Sequence, residues 1–455
     1  PKIFKADPDY SDKPYDAAEQ LHIYGGKVAN DEPFYPHFFG RRLYPLGQFT
    51  EGLSILGKKN RMYPHLMGFG DFRLAFANFD DGIDERAEIA ARLNLDLDLK
   101  ITSTERLHAF VRPLDRNGKF TRVLFNNGEE DFDDRLDFNL DALFFEGDLA
   151  WIWTGISGNY AKFDLPFAVG LMPILFHNGI WLNDIFTGVA FTIPAKNSPL
   201  LDISNMDITF FAGNDEINSP LLGQGNDVND VAIYGFNSFI EAANGYFEIG
   251  YAYTEDELLG DGDQSYHNVA FSYSHRWSNI LSLSYRVIGN FGQEDIGGVA
   301  GVKSADGALL LLETSWITSL PYTLVPYLNF FVGIDKPQSV ARAGGILQNT
   351  GILFEGDGLT GFPTLDADAN DTMGASLGIE YLFNLDQQIV FEATAVIDST
   401  DGAATGNKKN NEYGLGMRWQ KPIAKTWILR ADAMYGFRDL REEIFGVRTE
   451  LRWKF

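Results

Sequence analysis

Charged side chains recur at every second position in several segments of this chain, opposite rows of apolar side chains. Segment 92–102 shows the pattern best, because its leucines alternate with a polar row that includes Arg92, Asp96, Asp98 and Lys100. Arginine and carboxylate groups at a regular spacing can recognise anionic or hydroxyl-rich solutes in water. The same groups can also pair with each other across strands and stiffen the wall that carries them. The sequence leaves both roles open.

The charged rows of the clearest segments supply the candidate site residues. We predict that they share one water-facing surface, where selectivity belongs to the whole set rather than to any single residue. Across these segments the two signs nearly balance, so most of the acidic surplus belongs to other parts of the chain. The candidates are Arg92, Asp96, Asp98, Lys100, Arg106, Arg112, Arg135, Asp137, Asp141, Arg276, Arg286, Glu392, Arg418, Arg430, Asp432, Arg448, Glu450 and Arg452.

Segment 445–455 indicates which kind of element positions these side chains. A strand built from it carries phenylalanine, valine, leucine and tryptophan on one face, and Arg448, Glu450, Arg452 and Lys454 on the other. This ending resembles the terminal strand of bacterial outer-membrane β-barrels, whose aromatic side chains lie at the membrane interface. The resemblance implies that the apolar rows face lipid and the charged rows face a water-filled lumen.

The length and number of the alternating segments predict the fold class. Each is about ten residues long, as a tilted strand needs to be to cross a bilayer, and 135–144 is among the clear ones. We predict an all-β fold, a single transmembrane antiparallel β-barrel of about 18 strands, within a range of 16 to 20. Weaker strand candidates lie near Leu21, Gly68, Ala150, Phe167, Thr187, Met206, Val231, Tyr246, Leu309 and Leu324.

The connections between segments fall into two kinds, which are typical of short periplasmic turns and long acidic extracellular loops. The predicted turns are 277–280, 384–386 and 421–424, and the predicted long loops are 213–229, 336–372 and 399–410. Residues 61–455 are assigned to the barrel. Residues 1–60 are rich in proline and aromatic side chains, and they form an extension, a constriction or an irregular first hairpin.

Composition excludes several classes of function. The net charge of −26 argues against a nucleic-acid partner, because binding phosphates requires a basic surface. The absence of cysteine rules out disulfides, thiolate metal sites and covalently attached c-type haem. No motif assigns a catalytic residue or an organic cofactor, and we expect no enzyme activity.

One acidic stretch, 366–371, has the oxygen ligands that open a calcium loop. Its sixth position is aspartate rather than glycine and its twelfth is Leu377 rather than glutamate, which argues against an EF-hand. Two hypotheses remain, a solvated loop surface and a loop-bound Ca²⁺ or Mg²⁺ ion shared with the phosphates of lipopolysaccharide. The candidate ligands of the ion are Asp366, Asp368, Asn370 and Asp371.

Two stretches resemble the alginate-export family of outer-membrane barrels. Segment 167–181 looks like that family's strand and loop, and segment 92–112 is similar to its early hairpin. The matching residues are Gly170, Leu175, Gly179 and Trp181, while Leu171 and Met172 stand where the family has arginine and glutamine. The resemblance implies a monomeric barrel of about 18 strands that passes a polyanionic polysaccharide along an arginine-rich lumen.

The leading hypothesis is a porin-like channel of the bacterial outer membrane, for diffusion or export of polar, anionic or carbohydrate solutes. The alternatives are a docking barrel such as the sheath of an electron conduit, an outer-membrane-embedded hydrolase, and a soluble protein of several β-sandwiches. Expected partners are outer-membrane lipid, lipopolysaccharide and the barrel-assembly machinery, which would recognise the strand ending at Phe455. The sequence leaves monomer and trimer open.

Overall fold

Strands make up almost all of the regular structure, as the alternating sequence predicts. The structure is a computed structural model that describes residues 52–116, 118–126, 129–222, 228–257, 264–296, 301–320, 323–356, 358–383, 386–399 and 411–455. The first strands are β1 (His65–Asp80), β2 (Glu85–Lys100), β3 (Arg106–Val111), β4 (Asp115–Arg116), β5 (Lys119–Asn126), β6 (Glu129–Asp133), β7 (Leu140–Asp148), β8 (Pro166–Phe176), β9 (Leu182–Ser198), β10 (Ile203–Asp215) and β11 (Val231–Ala242).

The second half of the chain is equally regular. Its strands are β12 (Gly245–Asp256), β13 (Tyr266–Trp277), β14 (Leu281–Phe291), β15 (Asp306–Trp316), β16 (Leu324–Lys336), β17 (Ala341–Arg342), β18 (Thr372–Phe383), β19 (Gln387–Asp398), β20 (Glu412–Ala424), β21 (Trp427–Arg438) and β22 (Ile444–Lys454). The described residues also form one α-helix, α1 (Leu149–Ser157), and short 3₁₀ helices at His177–Gly179, Pro199–Leu201 and Ile352–Phe354. Within the described residues, no helix is long and apolar enough to cross a membrane.

The strands close into a ring of 18, in which each strand pairs antiparallel with its neighbours along the chain. The ring closes where β1 pairs with β22, with Phe72 opposite Trp453 and Asp80 opposite Phe445. The prediction of about 18 antiparallel strands is confirmed. The four remaining strands, β4, β5, β6 and β17, lie in the connections.

Burial in β22 shows which way the two rows point. Arg448 and Glu450 are only 2% and 3% exposed, whereas Val447 is 56% exposed. The charged row therefore lies inside the ring and the apolar row lies on its outer surface. A soluble sandwich would bury the apolar row instead, so the alternative of several soluble sandwiches is wrong.

The connection between β3 and β7 departs from the sequence prediction. Segment 135–144 was expected to be one strand, but β7 begins only at Leu140. Asp134 and Asp137 each accept a hydrogen bond from a backbone N–H two residues later, at Leu136 and Asn139. These local turns compete with extended structure and outweigh the alternation of residue types.

The strand candidate near Ala150 is also wrong, because this residue lies in helix α1. Asp148 caps the helix by accepting hydrogen bonds from the N–H groups of Ala150 and Trp151. Residue 158 at its other end is a glycine with a φ of 72°, which suits the left-handed conformation of a helix C-cap. Capping therefore decides the local structure here.

Most of the predicted turns and loops fall where expected, with one correction. Residues 421–424 lie inside β20, and the chain turns at 425–426 instead. Pro422 lies beside a β-bulge near the strand end, where a sheet tolerates proline. The predictions for 1–51, including the strand near Leu21, for the turn at 384–385 and for the loop at 400–410 fall outside the described residues.

Connections between strands fold into the ring and pack there as an apolar core, to which the segment after β10 contributes Ile217 and Leu221. The long loop 337–371 between β16 and β18 buries Leu353, Phe354 and Leu365 in this core. The shorter segment 177–181 between β8 and β9 adds Trp181. The chain's own loops therefore fill part of the interior and leave the remaining space along the wall.

Candidate functional site: a basic cavity on the inner wall

Three arginines lie side by side on the inner wall, in one row across β2, β1 and β22. Arg73 lies directly opposite Arg92 in one strand pair and directly opposite Arg452 in the next. Like charges in directly paired positions destabilise a sheet. The row therefore costs free energy unless acidic side chains or a bound anion neutralise it.

Acidic neighbours neutralise two of these arginines. Arg73 forms a two-point pair with Glu450, at 2.8 Å and 2.5 Å. Arg452 forms an ion pair with Asp71. Arg92 differs, because its guanidinium donates to the neutral Asn94 amide oxygen at 2.8 Å and has no carboxylate partner among the described residues. One face of Arg92 covers the Phe120 ring, at 5.1 Å from its centroid.

The arginine row borders a cavity of about 430 Å³, which we call the basic cavity. Its wall comes from β1, β2, β20, β21 and β22, and its roof comes from Glu355, Gly356 and Gly358 of the long loop. Five cationic side chains face two carboxylates in its lining, so the cavity is positive inside a strongly acidic chain. It is lined by Arg73, Arg92, Arg430, Arg452, Lys454, Glu355, Glu450, Gln420, Ile428, Gly356 and Gly358.

A cluster of arginines around one carboxylate adjoins the cavity. Asp432 accepts from Arg418 and Arg430 at 2.8 Å each, and from Arg448 at 2.6 Å. Arg418 also pairs with Glu355 of the long loop. Because the three arginines donate to one carboxylate, their side chains are held in fixed positions and shape the wall beside the cavity.

The inner wall holds the long loop in place through a buried carboxylate. Glu392 on β19 accepts hydrogen bonds from the backbone N–H groups of Ile352 and Leu353, at 3.1 Å and 2.9 Å. The Tyr327 hydroxyl donates to the same carboxylate. Glycine on β20 permits the close approach, since a Cβ at Gly416 would lie 2.8 Å from Leu353.

Segment 177–181 packs against the inner face of the opposite wall. The indole Nε1 of Trp181 donates to Asn268 Oδ1 at 2.6 Å, and Arg342 of the long loop donates to the Gly179 carbonyl at 2.6 Å. Burial, together with the positive charge of Arg286, lowers the pKa of His177 to about 3. This histidine is therefore neutral at every physiological pH.

The other candidate residues mostly form local pairs away from the cavity. Arg106 pairs with Asp98 at 3.1 Å, Arg112 with Asp115 at 2.7 Å and with Asp141 at 2.5 Å, and Arg286 with Glu313 at 2.6 Å. Asp96 and Lys100 lie on the inward row of β2, and Arg276 is exposed near the end of β13.

Arg135 and Asp137 were predicted on a strand but lie in the irregular segment before β7, where Arg135 pairs with Asp133 at 2.7 Å. The structure therefore brings Arg92, Arg430, Glu450 and Arg452 together in the basic cavity and leaves most of the other candidates in separate pairs.

The sequence reasoning missed Asp71 and Arg73, which complete the arginine row. Both fall on the inward parity of β1, but small or apolar residues share that parity, as at Ala75 and Phe79. The sequence did contain a signal for them, because Asp71 and Arg73 are charged residues two positions apart on an otherwise apolar strand and must face the same side. Glu355 was missed because no strand pattern extends into a loop.

The metal-binding loop at 366–371 stays a prediction, and its carboxylates make hydrogen bonds to the backbone. Asp371 accepts from the Asp335 N–H, and Asp366 accepts from the Asp368 N–H, so these carboxylates serve the backbone. Among the described residues, no group of three His, Asp or Glu side chains could hold a metal ion.

Comparisons with known proteins identify the fold. No protein-family model matches the sequence, and no curated protein matches it. Solved structures from Pseudomonas aeruginosa do match. OpdK with vanillate is 13% identical, with a TM-score of 0.56 over 86% of this chain and 98% of that one. OccK5 (OpdH) is 12% identical, with a TM-score of 0.53 over 86% of this chain and 98% of that one. OccK3 (OpdO) is 10% identical, with a TM-score of 0.53 over 89% of this chain and 98% of that one. The chain thus has the fold of the OccK/Opd porins.

Proposed function

We propose that this protein is a porin-like channel of the bacterial outer membrane that binds and passes small anionic solutes. The observation that carries the proposal is the row of Arg92, Arg73 and Arg452 beside an open cavity. Paired arginines would serve a purely structural wall equally well, but Arg92 lacks an acidic partner among the described residues. A passing carboxylate would supply the charge-assisted hydrogen bonds that this guanidinium does not make.

The outer surface supports placement in a membrane. Its exposed row along the strands is apolar, and the ring leaves no free edge between β1 and β22. The similar structures are those of outer-membrane porins, which favours the same location for this chain. We infer that outer-membrane lipid and lipopolysaccharide surround the ring.

The arrangement also favours a channel over a sheath for a partner protein. A sheath requires an interior wide enough for the partner, whereas residues 177–181 and 337–371 already occupy part of this one. The alginate-export resemblance implied a polysaccharide substrate. A cavity of about 430 Å³ suits a small solute better.

Planar-bilayer recording tests the proposal, with vanillate as the probe because it is a carboxylate and the OpdK structure was solved with it. We expect millimolar vanillate to interrupt the current through the wild-type channel. Arg92→Gln removes one charged donor and should weaken this block about tenfold. Arg276→Gln, which removes an exposed arginine outside the cavity, is the matched control.

Two results would contradict the proposal. The first is a folded protein that carries no ion current. The second is block by vanillate that responds equally to Arg92→Gln and to Arg276→Gln, because the cavity would then play no part in binding.

A further inference from the structure

Helix α1 exposes an apolar surface at the end of the ring where the short turns 243–244, 278–280 and 425–426 lie, which we call the turn end. It contains no charged residue, and its exposed side carries Leu149, Trp153 and Ile156, the last of which is 70% exposed. A helix that faces water normally carries polar residues on its outer side. The outer side of α1 is apolar instead, so its environment requires another explanation.

The inner side of α1 is already occupied by the chain itself. Gly155 packs against the segment that precedes β1, where a Cβ would lie 2.2 Å from the Leu56 carbonyl oxygen. Ala150 and Thr154 are buried on the same side. One side of the helix is therefore packed against the chain, and among the described residues its apolar side faces outward.

A neighbouring turn extends this surface. The 3₁₀ helix after β9 exposes Leu200 and Leu201, and Leu200 is 93% exposed. It lies at the same end as α1, because α1 precedes β8 and the turn follows β9, its antiparallel partner. We call Leu149, Trp153, Ile156, Tyr160, Leu200 and Leu201 the α1 patch.

The α1 patch is continuous with the apolar outer surface of the ring. Phe167 near the start of β8 contacts Phe145 on β7, with ring centroids 5.8 Å apart, and lies opposite Phe191 on β9. These three aromatic side chains are the outward-facing residues of β7, β8 and β9 near the end of the ring where α1 lies. The same lipid that covers the strands can therefore extend over the patch.

Basic side chains border the patch, although the chain as a whole carries a net charge of −26. Lys58, Lys59, Lys162 and Lys196 are exposed there, and Lys59 places its ammonium 3.9 Å from the centroid of the Tyr160 ring. Around α1, Lys58, Lys59 and Lys162 outnumber one exposed carboxylate, Asp164, so this side of the border is positive, whereas Lys196 lies near Asp202 and Glu241. Apolar side chains flanked by lysines are the composition of a surface that binds anionic membranes.

We propose that the α1 patch lies in the headgroup region of the membrane leaflet at the turn end and recruits anionic phospholipid there. The aromatic and aliphatic side chains enter the boundary between headgroups and acyl chains, and the lysines bind lipid phosphates. The inference depends on the ring being membrane-embedded, as proposed above, but not on the solute that passes through it.

The absence of cysteine in the chain allows a site-specific test. The full-length protein is made with Ile156→Cys, spin-labelled, and reconstituted into vesicles of equal parts phosphatidylcholine and phosphatidylglycerol. We expect the label to be accessible to oxygen and protected from a water-soluble nickel reagent. Val269→Cys on the outer surface of β13 supplies the lipid reference, and Glu257→Cys in a loop supplies the aqueous reference.

A second measurement tests the charge. Spin-labelled phosphatidylglycerol should associate with the wild type more strongly than labelled phosphatidylcholine does. Replacing Lys58, Lys59 and Lys162 by glutamine should reduce this preference, by up to about fivefold for each lysine. Lys100→Gln, which removes a lysine at the same end of the ring but on the inward row of β2, should leave it unchanged.

The outcomes separate this inference from the channel proposal. The α1 inference alone fails under one combination of results. The label at 156 is then as accessible to the nickel reagent as the label at 257, while the label at 269 reports lipid and vanillate still blocks the current. An equal association of both lipids would overturn the anionic preference. If the label at 269 is also accessible to the nickel reagent, the protein is not embedded in the membrane, and the channel proposal fails as well.

Discussion

Arg92 and Glu450 belong to the same inner wall, but their charges have opposite effects on stability. Glu450 neutralises Arg73, whereas Arg92 lies opposite Arg73 and forms no ion pair with a carboxylate of the described residues. A charge that is unpaired in the empty protein and near a cavity is suited to binding. We therefore expect Glu450 to affect mainly the stability of the barrel and Arg92 to affect mainly the binding of anions.

We expect Glu450→Gln to destabilise the folded barrel by about 3 kcal/mol, because it leaves Arg73 partly buried without its partner. Arg92→Gln should leave stability unchanged or raise it slightly, because it relieves repulsion between paired arginines. Urea unfolding in detergent or lipid measures both. Equal destabilisation by the two variants would show that Arg92 has a structural role.

His177 gives a pH dependence with a definite sign. Its pKa is about 3 in the folded protein, below the ordinary value near 6.5, because the ring is buried and Arg286 is positive. The unfolded state therefore binds more protons between these values, and stability falls as the pH falls below about 6.5. At pH 5 the loss should reach about 2 kcal/mol.

Thermal unfolding between pH 7.5 and pH 5 checks this expectation. In His177→Gln the side chain cannot gain a proton, so the part of the acid sensitivity that comes from this site should disappear. His65→Gln, at the opposite end of the ring, is the control. An unchanged pH profile in His177→Gln would mean that this loop opens too little for the histidine to matter.

Among the elements, the long loop determines how much of the interior remains open. Its attachment depends on Glu392, whose carboxylate accepts two backbone N–H groups at residues 352 and 353. Hydrogen bonds to a charged group are among the stronger ones. The loop is thus anchored at a specific point and not merely packed.

We expect Glu392→Gln to weaken the anchor by about 1 to 3 kcal/mol. Single-channel records should then show a larger or noisier conductance, because the loop samples positions away from the wall. Glu380→Gln is the matched control, since Glu380 lies on the inward row of the adjacent β18 and accepts from the Gln388 side chain rather than from the loop. Identical records for the two variants would contradict the role of Glu392.

Elements with a regular period were predictable from the sequence, and elements set by local capping or long-range contacts were not. The strand at 445–455 was predicted with its correct inward row because residue type alternates strictly there. Ala150 was misassigned because the cap at Asp148 overrides its surroundings. The cavity roof at Glu355 depends on a loop that folds back across the ring, which periodicity cannot reveal.

For the whole molecule, charge is divided between a positive cavity and an acidic remainder. Five cations line the cavity while the chain carries −26 in total. The range of these charges depends on salt, because the screening length falls from about 10 Å at 0.1 M to about 3 Å at 1 M.

Block by vanillate should therefore weaken as potassium chloride rises from 0.1 M to 1 M, with most of the loss at the low end. In Arg92→Gln the salt dependence should be shallower, since one of the screened charges is gone. Recording the block at several salt concentrations measures the slope. A slope that is the same in wild type and variant would place the binding charge outside the cavity.

The hairpin of β5 and β6 has a consequence for how copies of the barrel meet. β5 takes over pairing with β2 where β3 stops, and β6 pairs with β5 alone among the described strands. An unpaired strand edge invites another chain to add a strand. Glu130, Asp131 and Asp133 lie along the free edge of β6. Two barrels that approached each other through this edge would bring carboxylates face to face. Their mutual repulsion would keep neighbouring barrels from joining into a common sheet.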